Sequence, residues 1–437
     1  MSFIINLIIL TLVGRVQELV PPLAYLKPVM MAMLLGGFAL VIYFPYDAMG
    51  QKMTRPTFFW VLTSVGFVAS VPMGLYQSKS IQFLSLTYLC TVFLFLLISQ
   101  CVRKFRILEQ IAMTLMVMTF MLGVAIIAIP RRIVTDTGFR SSVSDTYDAN
   151  DLAVVFAMGI PFVFYTAWRG GFLTKLFGVV VTLLAAYGIH LTGSRGGLIA
   201  LATVFLYMVI RVREIGSLLR TMLIGVFILG ALAATQTSTF QQLILAVNGK
   251  DYNTSAEDGR LQVWKRGLGY IVTHPIVGVG IVCFEEAEGL LSGRSTTARG
   301  IRWTAAHNSY IQVCAEIGIP AFVCWLLMIG SSFAELRRQR QLLLEWQDDY
   351  EVRRMLFLRG MLETSLCAYV VGAFFLSLGY FVYLYLVVAL VVSMSVIVDN
   401  KVAELEDELA EEEEDDVDDL TEPEPQPPAL PEPEYSA

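Results

Sequence analysis

Three segments place ionisable side chains beside glycines or at the edges of apolar runs, where a membrane protein most often does chemistry. The first is HLTGSRGGLIAL, His190 to Leu201. Arg195 sits there between Gly193 and the Gly196–Gly197 pair, in a gap of a few residues between two apolar helices. Glycines permit a tight turn and a close ligand approach to the backbone, and the amides opening the next helix point at the same spot. A guanidinium beside such amides makes an anion site, most naturally for phosphate. The competing reading is an interfacial arginine that snorkels to lipid headgroups.

The second segment runs from Ser255 to Gly280, with Arg260, Trp264, Gly267, Leu268 and Ile271 at the spacing of an amphipathic helix ending near His274–Pro275. Such a helix suits the outer surface of a membrane and could cap a cavity. Arg260, Lys265 and Arg266 are its cationic candidates, the last two equally readable as a solvated pair. The third segment is Thr304 to Phe322, where 3–4 spacing puts His307, Tyr310 or Ile311, Cys314 and Gly318 on one helical face. An imidazole at that membrane edge can take a proton from a hydroxyl near neutral pH. Glu316, near the start of the following span, fits an orienting role, and His190 and His274 read as hydrogen-bonded structural rings.

No H-E-x-x-H, P-loop or Cys/His set appears, and the only paired carboxylates in this region are Glu257–Asp258 and Glu285–Glu286. The sequence therefore implies no metal and no nucleotide cofactor. The six cysteines are scattered without C-x-x-C spacing; Cys283 and Cys314 are the only pair in or near the polar loop.

The elements holding these residues follow from composition. The chain has 437 residues, 56% hydrophobic and only 16% charged. Soluble domains carry about 25% charged residues, so composition excludes an ordinary cytosolic enzyme, a disordered chain and a nucleic-acid binder. Long apolar runs at about 1–20, 29–44, 58–75, 81–99, 108–129, 152–167, 174–191, 197–210, 218–235, 317–334, 361–378 and 381–398 predict an all-α polytopic protein of about 12 spans. In that scheme residues 1–235 hold spans 1–9, 236–316 form a large outer loop, 317–400 hold spans 10–12, and 401–437 form an acidic, Pro-rich tail.

Basic loops set the expected orientation. Arg103, Lys104 and Arg106, then Arg211, Arg213 and Arg220, then Arg337 to Arg359 all fall on one side, which with both termini is read as cytoplasmic. Arg131, Arg132 and Arg140 resist the pattern: either the count fails there or they have a task on the outer side. The outer loop holds seven basic and seven acidic residues and several aromatics, too patterned for a linker. The tail from Val402 to Ala437 has 16 acidic residues and no basic one, leaving 31 basic against 22 acidic elsewhere. It is expected to be disordered, its start prolonging the last helix, and to serve solubility or dock a cytoplasmic partner.

In order, these motifs resemble the O-antigen ligase and O-antigen polymerase family of bacterial membrane glycosyltransferases. The resemblance rests on GSRGG between two helices, R-x-x-x-W from Arg260, H-P-x-x-G-x-G from His274 and H-N-x-Y-x-x-x-x-x-E-x-G from His307. Asp148 to Ala153, D-A-N-D-L-A, resembles a helix-opening segment of the same family. The resemblance implies transfer of a preassembled glycan from undecaprenyl diphosphate to a lipid A–core sugar, another glycan or a protein hydroxyl. It implies a periplasmic active site on an inner-membrane protein. By position, Arg195 and Arg260 would bind the donor diphosphate and His307 would be catalytic, with Asn308, Tyr310, Glu316 and Arg266 supporting. Ligase is the first reading and polymerase the alternative; a solute transporter is the alternative from another class.

Overall fold

The computed structural model describes residues 2–43, 53–135, 138–144, 146–212, 259–292 and 304–421, with isolated positions between 216 and 225. Its elements are α1 (Ser2–Leu12), α2 (Pro28–Tyr43), α3 (Arg55–Ser70), α4 (Gln77–Cys101), α5 (Phe105–Ala128), strands β1 (Arg131–Thr135) and β2 (Gly138–Ser142), α6 (Ala149–Arg169), α7 (Phe172–Thr192), α8 (Arg195–Arg211), α9 (Arg260–Thr273), α10 (Phe284–Leu290), α11 (Ser309–Leu344), α12 (Tyr350–Phe375) and α13 (Val382–Thr421). Seven of the described helices, α4, α5, α6, α7, α11, α12 and α13, are long and apolar enough to cross a membrane. This is a multi-pass membrane protein. The remaining expected spans up to residue 210 coincide with shorter helices, and span 218–235 falls largely outside the described residues, so the count of 12 stays an expectation.

Apolar sequence and helix ends explain the elements. Asp148 caps α6 through a reciprocal capping box with Asp151, Ser194 caps α8, Asn308 caps α11 and Asp349 caps α12. The middle of α13 is buried on every side, from Tyr383 to Met394, within the main core. The 16-residue α3 packs along α11, close enough that Gly66 lies against Ala321.

Ion pairs and hydrogen bonds fix the two ends. Glu109, near the start of α5, joins Arg169 at the end of α6 (3.3 Å) and Arg354 near the start of α12. The Tyr165 hydroxyl also donates to Glu109 (2.6 Å). At the other end Arg140 of β2 joins the start of α6 to the end of α7. The helices therefore alternate in direction, as short connections require.

Three expectations need correction. The first helix stops at Leu12, not near Val20: Arg15 takes a left-handed φ of 51°, and single turns follow at Val16–Leu19 and Pro21–Ala24. The start of the acidic run prolongs the last helix as expected, but α13 goes on further, to Thr421; residues 422–437 lie outside the described ones. Finally, α11 begins at Ser309, inside the expected loop, and breaks at Gly318, where φ is 79°. The expected boundary between loop and span at 316–317 coincides with that break.

Candidate active site

Four helices, α6, α8, α9 and α11, begin at the same end of the bundle, and their positive dipole ends favour anions there. Arg195 is the first residue of α8 and Arg260 the first of α9. His307 precedes the cap of α11 by one residue, in a left-handed conformation (φ 48°). It is therefore not on the helical face that 3–4 spacing suggested. The break at Gly318 removes the other end of that face.

The turn between α12 and α13 holds these starts in place. The His307 backbone amide donates to Ser377 Oγ (3.0 Å), and Ser309 Oγ donates to the Leu376 carbonyl (2.7 Å). Gly196 of α8 lies against Phe375, where an added Cβ would come within 2.8 Å. Trp264 of α9 packs on Phe374 (5.6 Å between rings), and its Nε1 donates to the Ala306 carbonyl (2.9 Å). One short turn thus supports the segments carrying Arg195, Arg260 and His307.

The rest of the cluster is built on Arg140, which the sequence set apart as a basic charge on the outer side, and on the start of D-A-N-D-L-A. Arg140 Nε donates to the Thr192 carbonyl (3.0 Å), and its Nη2 donates to Asn150 Oδ1. It therefore ties D-A-N-D-L-A to the residue before GSRGG. Arg140 feels the charges of both Asp148 and Arg195, and burial with Arg195 beside it lowers its proton affinity against the pull of Asp148. His307 in turn feels Arg260, Asp148 and Arg140. Burial first, then the two arginines, push its pKa down to about 4, while Asp148 pulls the other way. The imidazole is neutral at physiological pH and able to accept a proton. The misplaced basic charge at Arg140 was the available sequence signal; nothing in the sequence marked Ser377.

The supporting candidates hold the frame. Asn308 Oδ1 accepts from the amides of Tyr310 (3.0 Å) and Ile311 (3.1 Å) and so caps α11. The Tyr310 hydroxyl donates to the Val370 carbonyl (2.8 Å), binding α11 to α12. Glu316 is buried and accepts from the Phe284 amide (2.9 Å) and the Tyr380 hydroxyl (2.6 Å), so it orients the loop before α10 rather than His307. Arg266 forms a forked pair with buried Glu288 (2.6–3.0 Å), which Tyr270 also reaches (2.8 Å); this pair fastens α9 to α10. Lys265 is exposed.

The glycines of GSRGG also divide their work. Gly193, at φ 60°, makes the turn and lies against Arg140, whereas Gly196 and Gly197 let α8 approach Phe375 and Ala153. Two of the three therefore serve helix packing rather than ligand approach. All six cysteines are free, including Cys283 and Cys314. Among the described residues no cluster of His, Cys, Asp or Glu is arranged to hold a metal ion.

The family model for O-antigen ligase matches residues 180–326, the stretch that holds Arg195, Arg260 and His307. Over that stretch the chain is similar to the O-antigen ligase family. The exopolysaccharide production protein ExoQ of Rhizobium meliloti (strain 1021) is 31% identical over 147 residues. That alignment covers 31% of this chain and 32% of the relative, so the chain spans about a third of the length of this curated relative. Arg140 and Asp148 lie before the matched stretch and join the family residues through the fold alone.

Proposed function

We propose that this protein is a membrane glycosyltransferase that moves a preassembled glycan from undecaprenyl diphosphate to an acceptor hydroxyl on the periplasmic face. The convergence of a neutral imidazole and three arginines, Arg140, Arg195 and Arg260, at one end of the bundle carries this reading. Attack at an anomeric carbon needs a hydroxyl relieved of its proton, and His307 is the base within the cluster. The bond to the diphosphate breaks as the new glycosidic bond forms, and negative charge grows on the departing oxygen. Fixed guanidinium groups aimed at that charge stabilise the transition state. One direct displacement inverts the anomeric centre. No step in this scheme draws on a metal or nucleotide.

In this reading α9 lies at the outer membrane surface, with Arg260 at its site end. Leu261, Leu268, Val272 and Ile276 are exposed along the helix and just beyond it, while Val263, Gly267 and Tyr270 are buried. Both termini lie in the cytoplasm in this scheme, and the basic loops at the far end agree with that orientation.

A ligase acting on a lipid A–core acceptor is the first reading. Polymerisation of an exopolysaccharide is the second, favoured by the name of the relative from Rhizobium meliloti. The test is purified protein in detergent with a lipid-diphosphate glycan, comparing wild type with His307→Ala. Loss of a general base costs about 10²–10⁴-fold in rate, so the variant should be nearly inactive while still inserting normally. Near-normal turnover would remove His307 from the mechanism. A gene knockout separates the two acceptors: long unattached polymer marks a lost ligase, single repeats a lost polymerase.

A further inference from the structure

At the end of the bundle opposite the candidate active site, α5, α6 and α7 enclose a cavity of about 450 Å³. Its apolar wall is made by Met113, Met116 and Val117 of α5 with Leu173 and Phe177 of α7. Arg169, the last residue of α6, stands at its polar end. Phe177 packs on Phe120 (5.0 Å between rings), and with Met116, Val163 and Val181 these rings form a small apolar cluster apart from the main core. The cavity opens on the outside of the bundle: Met113 is 57% exposed and Leu173 77%. From there α7 presents Leu176, Val179 and Leu183 outward, as a lipid-facing helix does.

The charge at the rim is specific. Arg169 is 43% exposed, and its Nη1 lies 3.3 Å from Glu109. Glu109 is also held by Arg354 and Tyr165, while Arg169 lines the cavity and stays partly open to solvent. Arg106, also exposed, lies two turns before Met113 on the same stripe of α5. Along the membrane normal the order is arginine at the span end, then methionine, valine and phenylalanine deeper in. A phospholipid has the same order, phosphate first and acyl chain below.

We propose that this cavity is a binding site for an anionic phospholipid, with one acyl chain against Met113, Val117 and Phe177 and the headgroup phosphate on Arg169. Basic pockets between spanning helices suit anionic headgroups, and a concave slot of this size suits a chain better than the flat face of a second copy.

Native mass spectrometry of the full-length protein in detergent tests this, with phosphatidylglycerol and phosphatidylcholine of identical chains. The wild type should retain phosphatidylglycerol about tenfold better, the worth of one charge-assisted hydrogen bond. Arg169→Gln should abolish that preference. Met113→Trp, at a half-exposed position that tolerates change, should fill the slot and reduce retention of both lipids, keeping the test valid if Arg169→Gln fails to fold. Equal retention of the two lipids by wild type would overturn the proposal. So would phosphatidylglycerol retention unchanged by Met113→Trp, or a dimer that this substitution dissociates.

Discussion

At the residue scale the decisive quantity is the charge around one imidazole. His307 has its pKa pushed down to about 4, first by burial and then by Arg260, with Asp148 opposing and Arg140 adding to the fall. A base that must be neutral works above its pKa and fails as the pH drops through it. The acid limb of kcat/KM, which reports the free enzyme, should therefore lie near pH 4. A bound diphosphate offsets the arginine charges, so the acid limb of kcat should lie higher. Arg260→Gln removes a repelling charge and should raise the kcat/KM limb toward the ordinary histidine range of about 6.5. Asp148→Asn should move it lower still, while preserving the cap of α6, because asparagine caps as well as aspartate. A pH profile of each variant, read at its midpoint rather than its height, checks both signs. Limbs that stayed fixed in both variants would disconnect His307 from the reaction. Arg195 and His307 were legible in the sequence because each stands at the edge of an apolar run, and Arg260 because it belongs to an amphipathic pattern. Arg140 was visible only as a charge on the unexpected side, since its partners are 10 and 52 residues away.

At the scale of elements the site depends on how α9 and α11 are joined. The Ile319 amide donates to the Pro275 carbonyl (2.8 Å) and the Val279 amide to that of Ala315 (2.8 Å), so the chain after α9 runs along the break in α11. At that break Gly318 has φ 79°, and a Cβ there would sit 2.2 Å from the Ile276 carbonyl oxygen. Gly318→Ala should therefore cost stability beyond the usual strain of about 1–3 kcal/mol for a non-glycine residue in such a conformation. A fall in thermal midpoint in detergent, with Gly330→Ala as the control where nothing lies within 4 Å, measures it. The outer face of α9 makes a separate forecast. A tryptophan replacing Val272, which is 78% exposed, should be quenched by brominated lipids if the helix lies in the interface. Emission insensitive to those lipids would lift α9 off the membrane. Span positions were readable because a run of apolar residues has few other destinations. The break in α11 was not, since a glycine in an apolar helix carries no mark of the backbone carbonyl that packs against it.

At the scale of the molecule, chemistry and cohesion occupy opposite ends. The candidate site gathers Arg140, Arg195, Arg260 and His307 where four helices begin. The far end is closed by buried Glu109, which Arg354, Arg169 and Tyr165 surround, joining α5, α6 and α12. This separation gives the last forecast. Glu109→Ala leaves Arg354 and the Tyr165 hydroxyl partly buried without their acceptor, and breaking a buried pair from one side costs about 3–5 kcal/mol. The variant should melt well below the wild type. Its folded fraction, assayed at low temperature, should keep the same acid limb in kcat/KM, because no charge near His307 has changed. The converse holds for Arg260→Gln, whose acid limb should shift because the changed charge faces His307. A Glu109→Ala protein whose limb moved with its stability would show that the two ends are coupled through the bundle.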